Sequence, residues 1–244
     1  MKRILLTFNC LLLPFAVSAA PKAFERDVIS TSLGPLTITC IGHGTLMLAC
    51  GSTVIHVDPV SSEADYTRMP KAGVVLVTHE HGDHLDPAAI DELRTTGTVV
   101  IVTAACAGKV RGSSVLANGQ STSAHGIGIE AVPAYNIVHM RAPGAPYHPK
   151  GSGNGYVLSF GDTRVYIAGD TENTPEMKAL KNIAVAFLPM NLPYTMTPAM
   201  VADAAKAFKP RILYPYHYGS TDPAQLTALL AGQKGIEVRI RDLR

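Results

Sequence analysis

The chain has 244 residues, of which 47% are hydrophobic and 16% are charged, with 21 basic and 19 acidic residues. This length is enough for one large domain with its own hydrophobic core. The two extra basic residues are accounted for by Lys2 and Arg3, which lie in a predicted targeting segment. The rest of the chain is therefore close to neutral, which argues against a nucleic-acid-binding surface.

The N-terminus has the pattern of a secretory signal. Two basic residues precede the apolar run Ile4–Val17, and small residues follow at positions 18–20. We predict a signal peptide over residues 1–20, a single domain over residues 21–244, and a periplasmic or secreted location. A membrane anchor is less favoured, because the apolar run is short and is interrupted by Asn9 and Pro14.

Three cysteines remain after the predicted cleavage: Cys40, Cys50 and Cys106. An odd number argues against a disulfide framework, and cysteines in apolar strands are typically small core residues. A single Cys40–Cys50 bridge stays open as an alternative.

The first half of the chain is predicted to be rich in strands. Residues 21–35 are mixed polar and predict an extended lead-in. The segments Leu36–Ile41, Thr45–Cys50 and Thr53–Asp58 are apolar or alternating and are joined by short turns, so they predict an antiparallel meander. Gly42-His43-Gly44 interrupts the first pair, where glycines allow the backbone to bend around an imidazole.

The most informative stretch follows the apolar, β-branched run Val74–Val77, which predicts a buried strand. After it come His79-x-His81-x-Asp83-His84, three imidazoles and one carboxylate within six residues. Burying so many polar side chains is costly unless each has a partner. A divalent cation satisfies all of them, since imidazole and carboxylate are standard ligands for zinc and related metals. A solvated histidine-rich loop is the less favoured alternative.

The remaining elements alternate between strands and helices. We predict strands at Thr98–Thr103, Ile127–Pro133, Ile183–Leu188, Arg211–Pro215 and Glu237–Arg241, and a hairpin of Tyr156–Phe160 and Thr163–Ala168. Between them we predict a helix capped by Asp86, a short helix near Ala104–Val110, a helix from Pro175, a helix from Pro198 to about Phe208 and a helix that begins at Asp222-Pro223. Both halves run from strands to β/α units, which predicts two sheets packed face to face with helices outside.

Further polar residues lie where predicted strands end. Asp170 and His217 each follow a strand, and the long loop over residues 135–153 carries His139 and His148. A long loop in a compact domain is typically functional. Side chains at strand ends can meet at one rim of a sandwich, so these residues are expected to join the histidine-rich stretch.

This order of ligands resembles the metallo-β-lactamase superfamily, over essentially the whole mature chain. The resemblance implies an α/β, four-layer αββα sandwich in a single domain, and a metal-dependent hydrolase activity. The nearest resemblance is to the ascorbate-6-phosphate lactonase-like branch, through the motifs Gly42-His43-Gly44, His56-Val-Asp58-Pro59, Ala134-Tyr-Asn136, His148-Pro-Lys-Gly, Ala168-Gly-Asp170-Thr171, Tyr194-Thr-Met-Thr-Pro198 and Pro215-Tyr-His217.

The resemblance also implies a ligand set for two divalent metal ions. His79, His81 and a third histidine would bind the first metal, Asp83, His84 and His217 would bind the second, and Asp170 would bridge the two. The third histidine is expected to be His148, with His139 as the alternative. Zinc is the expected metal and manganese the alternative, because a ligand set without thiolates does not select zinc strongly.

His125 is expected at the surface and His56 packed in its strand, while Asp58 is a candidate to orient a metal ligand.

The implied reaction is hydrolysis of a small-molecule substrate. Two cations lower the pKa of a bridging water, and the resulting hydroxide attacks a carbonyl or phosphorus centre. Asp83 or Asp170 would orient this nucleophile. His43 would contact substrate or shuttle a proton, or would merely support the metal ligands. Lys150 is a candidate to meet an anionic group, or else a solvated lysine.

Three functional hypotheses follow. The leading one is an exported, dinuclear, lactonase-like hydrolase. The second is a phosphodiesterase of the N-acyl phosphatidylethanolamine phospholipase type, and the third is a metal-binding protein without turnover. A β-lactam specialist is less favoured because the resemblance points to the lactonase-like branch.

Overall fold

A computed structural model describes residues 23–244, so the predicted signal peptide lies outside the described residues. The first half of this range contains β1 (Glu25–Thr31), β2 (Gly34–Gly42), β3 (Thr45–Cys50), β4 (Thr53–Val57), β5 (Val74–Leu76), α1 (Pro87–Leu93), β6 (Val99–Val102) and β7 (Ser114–Val115). The second half contains β8 (Ser121–Ala124), β9 (Ile127–Ala134), β10 (Met140–Ala142), β11 (Ala145–Pro146), β12 (Gly153–Phe160), β13 (Thr163–Ile167), α2 (Pro175–Lys178), β14 (Ile183–Pro189), α3 (Pro198–Phe208), β15 (Ile212–Tyr216), α4 (Ala224–Leu230) and β16 (Glu237–Val238).

These strands form two large sheets and one small hairpin. The first sheet has seven strands in chain order, β1 to β7, and the second has the order β16-β15-β14-β13-β12-β9-β8. Strands β1 to β4 pair antiparallel, which confirms the predicted meander, and β4 to β7 pair parallel. Strands β13 to β16 also pair parallel, while β10 and β11 pair only with each other. Each large sheet therefore ends in a parallel half.

The hydrophobic core lies between the sheets, and β5 shows why its sequence is apolar throughout. Val74 and Leu76 belong to the core that both sheets share, whereas Val75 and Val77 pack with Ile90 of α1 on the outer face. A strand buried on both faces reads as a continuous apolar run rather than an alternation. α3 covers the second sheet, with buried residues that include Val201, Ala205 and Phe208. The predicted α/β sandwich with outer helices is confirmed.

Helix starts follow the predicted capping. Asp86 accepts hydrogen bonds from the backbone N–H groups of Ala88 at 2.9 Å and Ala89 at 3.2 Å, with Pro87 as the first helical residue. Thr197 caps α3 in the same way through Met200 N at 3.1 Å. These caps satisfy N–H groups that have no partner inside the helix.

Three local predictions differ from the structure. The lead-in predicted over residues 21–35 contains a paired strand, because Glu25–Thr31 forms β1 at the edge of the first sheet. The predicted helix near residues 104–110 is only a 3-10 turn at Ala107–Lys109, and the last strand ends at Val238 rather than at Arg241.

The fold also excludes the Cys40–Cys50 disulfide that the sequence left as an alternative. Cys40 pairs with Leu46 and Cys50 pairs with Leu36, so the two thiols lie at different positions along the β2–β3 pair. Cys40, Cys50 and Cys106 are all buried and free. They behave as small core residues. Among the residues that the structure describes, no helix is long and apolar enough to cross a bilayer.

Candidate metal centre

The candidate site lies beyond the carboxyl ends of parallel strands in both sheets. β5 leads into His79–His84, β13 leads into Asp170, and β15 leads into His217. His148 arrives from the long loop that precedes β12. Strand ends of this kind are where α/β folds commonly place their ligands, because the rigid sheets fix the direction of each side chain. Residues more than 130 positions apart in the sequence thereby meet.

The first group of side chains consists of His79, His81 and His148. Each offers one ring nitrogen, and the three nitrogens lie within 4.8 Å of one another. His79 Nε2 is 3.1 Å from His81 Nδ1. His79 and His148 are buried, and His81 is partly exposed at the edge of the site. Three convergent imidazoles are a common arrangement for a zinc ion.

The second group contains Asp83, His84 and His217, with His43 beside them. Asp83 Oδ2 is 3.4 Å from His217 Nε2 and 3.8 Å from His84 Nε2. The Nε2 atom of His43 is 3.3 Å from the same carboxylate oxygen. His84 and His217 are buried, whereas half of the Asp83 side chain is exposed. This group therefore joins buried nitrogens to a carboxylate that also faces solvent.

Asp170 lies between the two groups and is 4% exposed. Its Oδ2 atom is 3.3 Å from His148 Nε2 and 3.9 Å from His79 Nε2. Its Oδ1 atom is 3.5 Å from both His84 Nε2 and His217 Nε2. One oxygen thus faces the first group and the other faces the second group.

The donor set fits divalent cations. The Nε2 atoms of His84, His148 and His217 and the Oδ1 atom of Asp170 are buried without a hydrogen-bond partner among the described residues. Orphaned polar atoms are costly in a protein interior, so several of them pointing at one another indicate a shared ligand. Nitrogen and carboxylate donors without thiolates suit zinc and manganese alike.

The electrostatics of the site favour positive charge. Burial raises the pKa of the Asp170 carboxyl, but the neighbouring His217 and His84 outweigh this and hold the pKa well below its usual value. Burial lowers the pKa of His84, yet Asp170 and Asp58 overcome this and raise it to about 9. Burial, reinforced by repulsion from His84, keeps the pKa of His79 well below its usual value. Ionised carboxylates and a neutral His79 suit a bound cation, whereas His84 must release its Nε2 proton to bind one.

Asp58 supports His84. The Asp58 side chain accepts hydrogen bonds from His84 Nδ1 at 2.8 Å, from Thr78 N at 2.7 Å and from Thr78 Oγ1 at 2.6 Å. Because Nδ1 donates to this carboxylate, Nε2 of His84 is left as the atom that faces the site. The predicted orienting role of Asp58 agrees with these contacts.

His148 is supported by Asn136. Asn136 Oδ1 accepts hydrogen bonds from His148 Nδ1 and from the His148 backbone N–H, both at 2.8 Å. Asn136 in turn donates from Nδ2 to Glu172 Oε1 at 3.2 Å and to the Tyr194 carbonyl at 2.9 Å. The Nε2 atom of His148 is therefore directed at Asp170.

Glu172 is a functional candidate that sequence reasoning missed. Its buried carboxylate accepts backbone N–H bonds from Ile137 at 2.8 Å, Val138 at 2.7 Å and His139 at 2.6 Å. Burial raises the pKa of the Glu172 carboxyl, but these backbone hydrogen bonds outweigh it and leave the pKa below its usual value. The only sequence signal is an acidic residue soon after Asp170, which equally suits a solvated position.

The other histidines lie outside both groups. His139 Nδ1 is 2.8 Å from Glu172 Oε1, so its ring lies against that carboxylate rather than beside His79 and His81. His125 is exposed and contacts the Gly97 carbonyl at 3.1 Å. His56 is buried in β4 and donates to the Pro70 carbonyl at 3.0 Å. Of the two histidines considered as the third ligand of the first group, the fold places His148 there.

The backbone is tightly constrained around the site. A Cβ atom at Gly44 would lie 2.7 Å from His84 Cε1, so only glycine allows this approach. His43, Asp58 and His217 adopt positive φ values of 48°, 46° and 46°, a region that non-glycine residues rarely occupy. Such conformations cluster at functional sites, where the surrounding contacts hold them in place.

A cavity of about 410 Å³ adjoins both groups. It is lined by members of both groups and by neighbouring residues: His43, His81, Gly82, Asp83, Arg141, Tyr147, His148, Asp170, Asn191, Tyr194 and His217. A cavity of this size holds a small molecule rather than a polymer segment.

Comparison with known proteins assigns the family. Residues 37–217 match the family model described as the Beta-lactamase superfamily domain. The chain therefore belongs to the metallo-β-lactamase superfamily, as its ligand order and two-sheet fold indicated. Within that superfamily it is a metal-dependent hydrolase, the description shared by its relatives.

Relatives and solved structures agree with this assignment. A UPF0173 metal-dependent hydrolase of Thermococcus kodakarensis is 31% identical over 75% of this chain and 84% of the relative. One of Thermus thermophilus is 30% identical over 81% and 92%. The crystal structure of a protein from Parabacteroides distasonis named as a metal-dependent hydrolase has a TM-score of 0.86 and 50% identity, and covers 91% of this chain and 100% of that one.

The structure of a metallo hydrolase from Ignicoccus hospitalis, at 24% identity and a TM-score of 0.70, covers 85% of this chain and 95% of that one, and shares the fold. None of these names specifies the lactonase-like branch, which stays a prediction.

Proposed function

We propose that this protein is an exported, dinuclear metal-dependent hydrolase that acts on lactones or related small carbonyl substrates. The observation that supports two metals rather than one is the position of Asp170, whose two oxygens face different ligand groups. The lactonase-like activity rests on the motif that contains His148 and on the small cavity beside the site.

Each of the two groups of side chains would bind one metal ion. His79, His81 and His148 would hold one cation, Asp83, His84 and His217 would hold the other, and Asp170 would contact both. Two divalent cations supply Lewis acidity, which activates a water molecule and neutralises charge that develops on the substrate. The buried ligands exclude bulk water, so charged groups act more strongly there than in solvent.

Residues of this chain would orient the reactants and handle the proton. The exposed side of the Asp83 carboxylate faces the cavity, where it can orient a nucleophile. His43 Nδ1 donates to the Arg244 carbonyl at 2.9 Å, which fixes the ring with Nε2 towards the cavity and Asp83. His43 Nε2 is thus placed to hold a proton near a departing group.

Metal analysis tests the dinuclear part of the proposal. Purified wild-type protein should hold two zinc or manganese ions per chain after reconstitution. His148→Ala and His217→Ala should each lose affinity for one ion, while Asp170→Ala should weaken both. His125→Ala is the control, because that exposed ring lies outside both groups. A wild-type stoichiometry of one or zero would contradict the proposal.

A substrate panel tests the activity. Metal-loaded protein should hydrolyse γ- or δ-lactones, and His81→Ala should reduce that rate by at least 100-fold, as expected for loss of a ligand. Turnover of bis-4-nitrophenyl phosphate without turnover of lactones would instead support the phosphodiesterase hypothesis. Bound metal without hydrolysis of any lactone, phosphodiester, amide or β-lactam would favour the non-catalytic alternative.

Export is tested by fractionation. We expect the full-length chain, expressed in a Gram-negative host, to accumulate in the periplasm with a new N-terminus after residue 19 or 20. A chain that starts at residue 21 should stay in the cytoplasm. Cytoplasmic retention of the full-length chain, with its first residues intact, would contradict the signal-peptide prediction.

A further inference from the structure

His43 is held beside the metal ligands by contacts at both of its ring nitrogens. Its Nε2 atom lies 3.3 Å from Asp83 Oδ2, and its ring lies 3.8 Å from the His217 ring between centroids. Its Nδ1 atom donates to the backbone carbonyl of Arg244 at 2.9 Å, across 201 positions of the sequence. A carbonyl can only accept, so this contact keeps a proton on Nδ1 and fixes which way the ring faces. The orientation of His43 therefore depends on the segment that carries Arg244.

That segment is residues 239–244, which we call the strap. It continues from β16 at the edge of the second sheet, where Arg239 N donates to the Leu213 carbonyl at 2.9 Å. Further along, Leu243 is fully buried and belongs to the core that both sheets share. The strap therefore packs against the body of the domain before it reaches His43.

The loop after β15 holds one side of the strap. Tyr218 follows the ligand His217 directly, and its Oη atom donates to the Arg241 carbonyl at 2.9 Å. The backbone N–H of Tyr218 donates to the Leu243 carbonyl at 3.4 Å. These bonds attach the strap to the second sheet at two positions before Arg244.

An ion pair attaches the strap to the first sheet. Arg241 donates from Nε to Asp27 Oδ2 at 2.9 Å and from Nη2 to Asp27 Oδ1 at 2.7 Å, and Asp27 lies in β1. Burial raises the pKa of the Asp27 carboxyl, but hydrogen bonds, led by that from Arg241, outweigh this and leave the pKa below its usual value. Asp242 N adds a hydrogen bond to Glu25 Oε2 of the same strand at 2.7 Å. Paired, charge-assisted bonds restrict orientation as well as distance, so β1 sets the position of the strap.

We propose that Asp27 and Arg241 are positioning residues for the hydrolytic reaction. Their ion pair fixes the strap, and the Arg244 carbonyl of the strap fixes the His43 ring with Nε2 towards Asp83 and the cavity. Neither Asp27 nor Arg241 lines the cavity, so their effect on the reaction acts through His43. This inference rests on the proposed hydrolase function and adds two residues on which the orientation of its proton-handling group depends.

Proton exchange at His43 tests the positioning without requiring turnover. In zinc-loaded wild-type protein, the hydrogen-bonded Nδ1–H proton should give an NMR signal that His43→Gln removes. Asp27→Asn and Arg241→Met should each speed its exchange with solvent about 10-fold or more, because the acceptor is no longer held in place. Absence of this signal from the wild type, or the same exchange rate in wild type and both variants, would overturn the inference.

Arg164→Met is the matched control. Arg164 Nη2 donates to Glu130 Oε1 at 2.9 Å and to Oε2 at 2.8 Å, and its side chain is 24% exposed, against 23% for Arg241. The two methionine variants thus lose comparable ion pairs and should lose similar amounts of thermal stability, but only Arg241→Met should change the His43 signal. Arg241→Lys keeps the charge and should restore part of the wild-type behaviour. An equal change in Arg164→Met would refute the role of the strap, because general destabilisation would then explain the effect.

Kinetics of δ-valerolactone hydrolysis test whether the strap acts through His43. The four zinc-loaded proteins are the wild type, Arg241→Met, His43→Gln and the double variant. Arg241→Met should lower kcat about 10-fold and change KM less than about 2-fold, because a displaced proton-handling group affects the chemical step more than binding. In the His43→Gln background, the same substitution should have no further effect on kcat, since the two residues act as one unit.

The outcomes separate this inference from the proposed function. Turnover with no loss in Arg241→Met, or with losses that multiply in the double variant, would overturn the inference and leave the hydrolase proposal standing. No turnover by the wild type, together with a His43 signal that depends on Arg241, would overturn the hydrolase proposal and leave the control of the His43 ring by the strap in place.

Discussion

At the scale of single residues, the first ligand group depends on a carboxylate that binds no metal. Glu172 accepts hydrogen bonds from Ile137 N, at the start of the long loop, and from Asn136, and Asn136 in turn holds His148. The carboxylate is buried and accepts several N–H bonds, an arrangement that only an ionised group satisfies well. The direction of His148 therefore depends on the charge of Glu172.

Glu172→Gln should weaken metal binding at the first group. The neutral amide keeps the size of the side chain but replaces one acceptor oxygen with a donor that faces backbone N–H groups. We expect affinity for the metal at the first group to fall about 10- to 100-fold, measured by competition with a chromophoric chelator. Glu176→Gln is the matched control, because Glu176 contacts Tyr135 and the exposed Lys150. Equal affinities in the two variants would contradict the role of Glu172.

The site shows what residue-level reading of a sequence can and cannot predict. His79, His81, Asp83 and His84 lie in one short loop, so their spacing alone indicates a shared ligand. Spacing alone could not decide whether His139 or His148 joins the first ligand group, because both lie in the same loop. The choice depends on Glu172, a residue distant in the sequence that lies against the His139 ring and binds Asn136. Contacts of this kind become visible only once both sheets are assembled.

At the scale of elements, the caps and apolar runs made most of the fold predictable. α1 and α3 begin where Asp86 and Thr197 precede a proline. The sequence of β5 is a continuous apolar run because a helix covers one face of the strand and the other sheet covers the opposite face. β1 was missed because it is an edge strand on which only Ile29 is buried, so its sequence carries no clear alternation. Short edge strands depend on their neighbour for pairing rather than on their own side chains.

The cap of α1 gives a stability prediction. Asp86→Ala removes hydrogen bonds to Ala88 N and Ala89 N, and also the bond from Ser61 N at 2.9 Å. We expect the free energy of unfolding in urea to fall by about 1–2 kcal/mol. Asp86→Asn keeps an acceptor for Ala88 N and Ala89 N but loses the acceptor for Ser61 N, so it should cost less than Asp86→Ala. Equal losses in both variants would show that charge rather than capping matters at this position.

β4 carries a histidine that should make stability depend on pH. His56 is fully buried, its Nδ1 atom has no hydrogen-bond partner among the described residues, and burial lowers its pKa to about 4. Because the unfolded chain has an ordinary histidine pKa of about 6.5, it binds more protons than the folded chain as pH falls from about 6.5 towards 4. The stability associated with neutral His56 is therefore present above pH 6.5 and is lost below it.

His56→Gln should reduce this acid sensitivity. Between pH 7 and pH 5, the wild type should lose about 2 kcal/mol more of its free energy of unfolding than the variant does, as calculated from the two pKa values. Urea unfolding at each pH, with both proteins in the same chelator, measures the difference and cancels the shared titration of the metal ligands. Parallel pH profiles for the two proteins would contradict the assignment.

At the scale of the whole molecule, the two sheets meet at the candidate metal centre. His79, His81, Asp83 and His84 follow a strand of the first sheet, whereas Asp170 and His217 follow strands of the second. His148 precedes a strand of the second sheet. Each ligand group therefore contains residues from both halves of the chain, so a bound cation would connect the halves as well as serve the chemistry.

This arrangement predicts that metal removal destabilises the entire domain rather than one loop. A ligand that binds only the folded state, at a free concentration about 1,000 times its Kd, stabilises that state by about 4 kcal/mol. For a domain of this size, that corresponds to an increase in Tm of about 10 °C. Thermal unfolding with zinc and with excess chelator should show this shift in a single cooperative transition. The double variant His81→Ala/His217→Ala lacks a ligand in each group and should melt at the same temperature in both conditions. A wild-type Tm that does not change with chelator would mean that the ligand groups do not hold the two halves together.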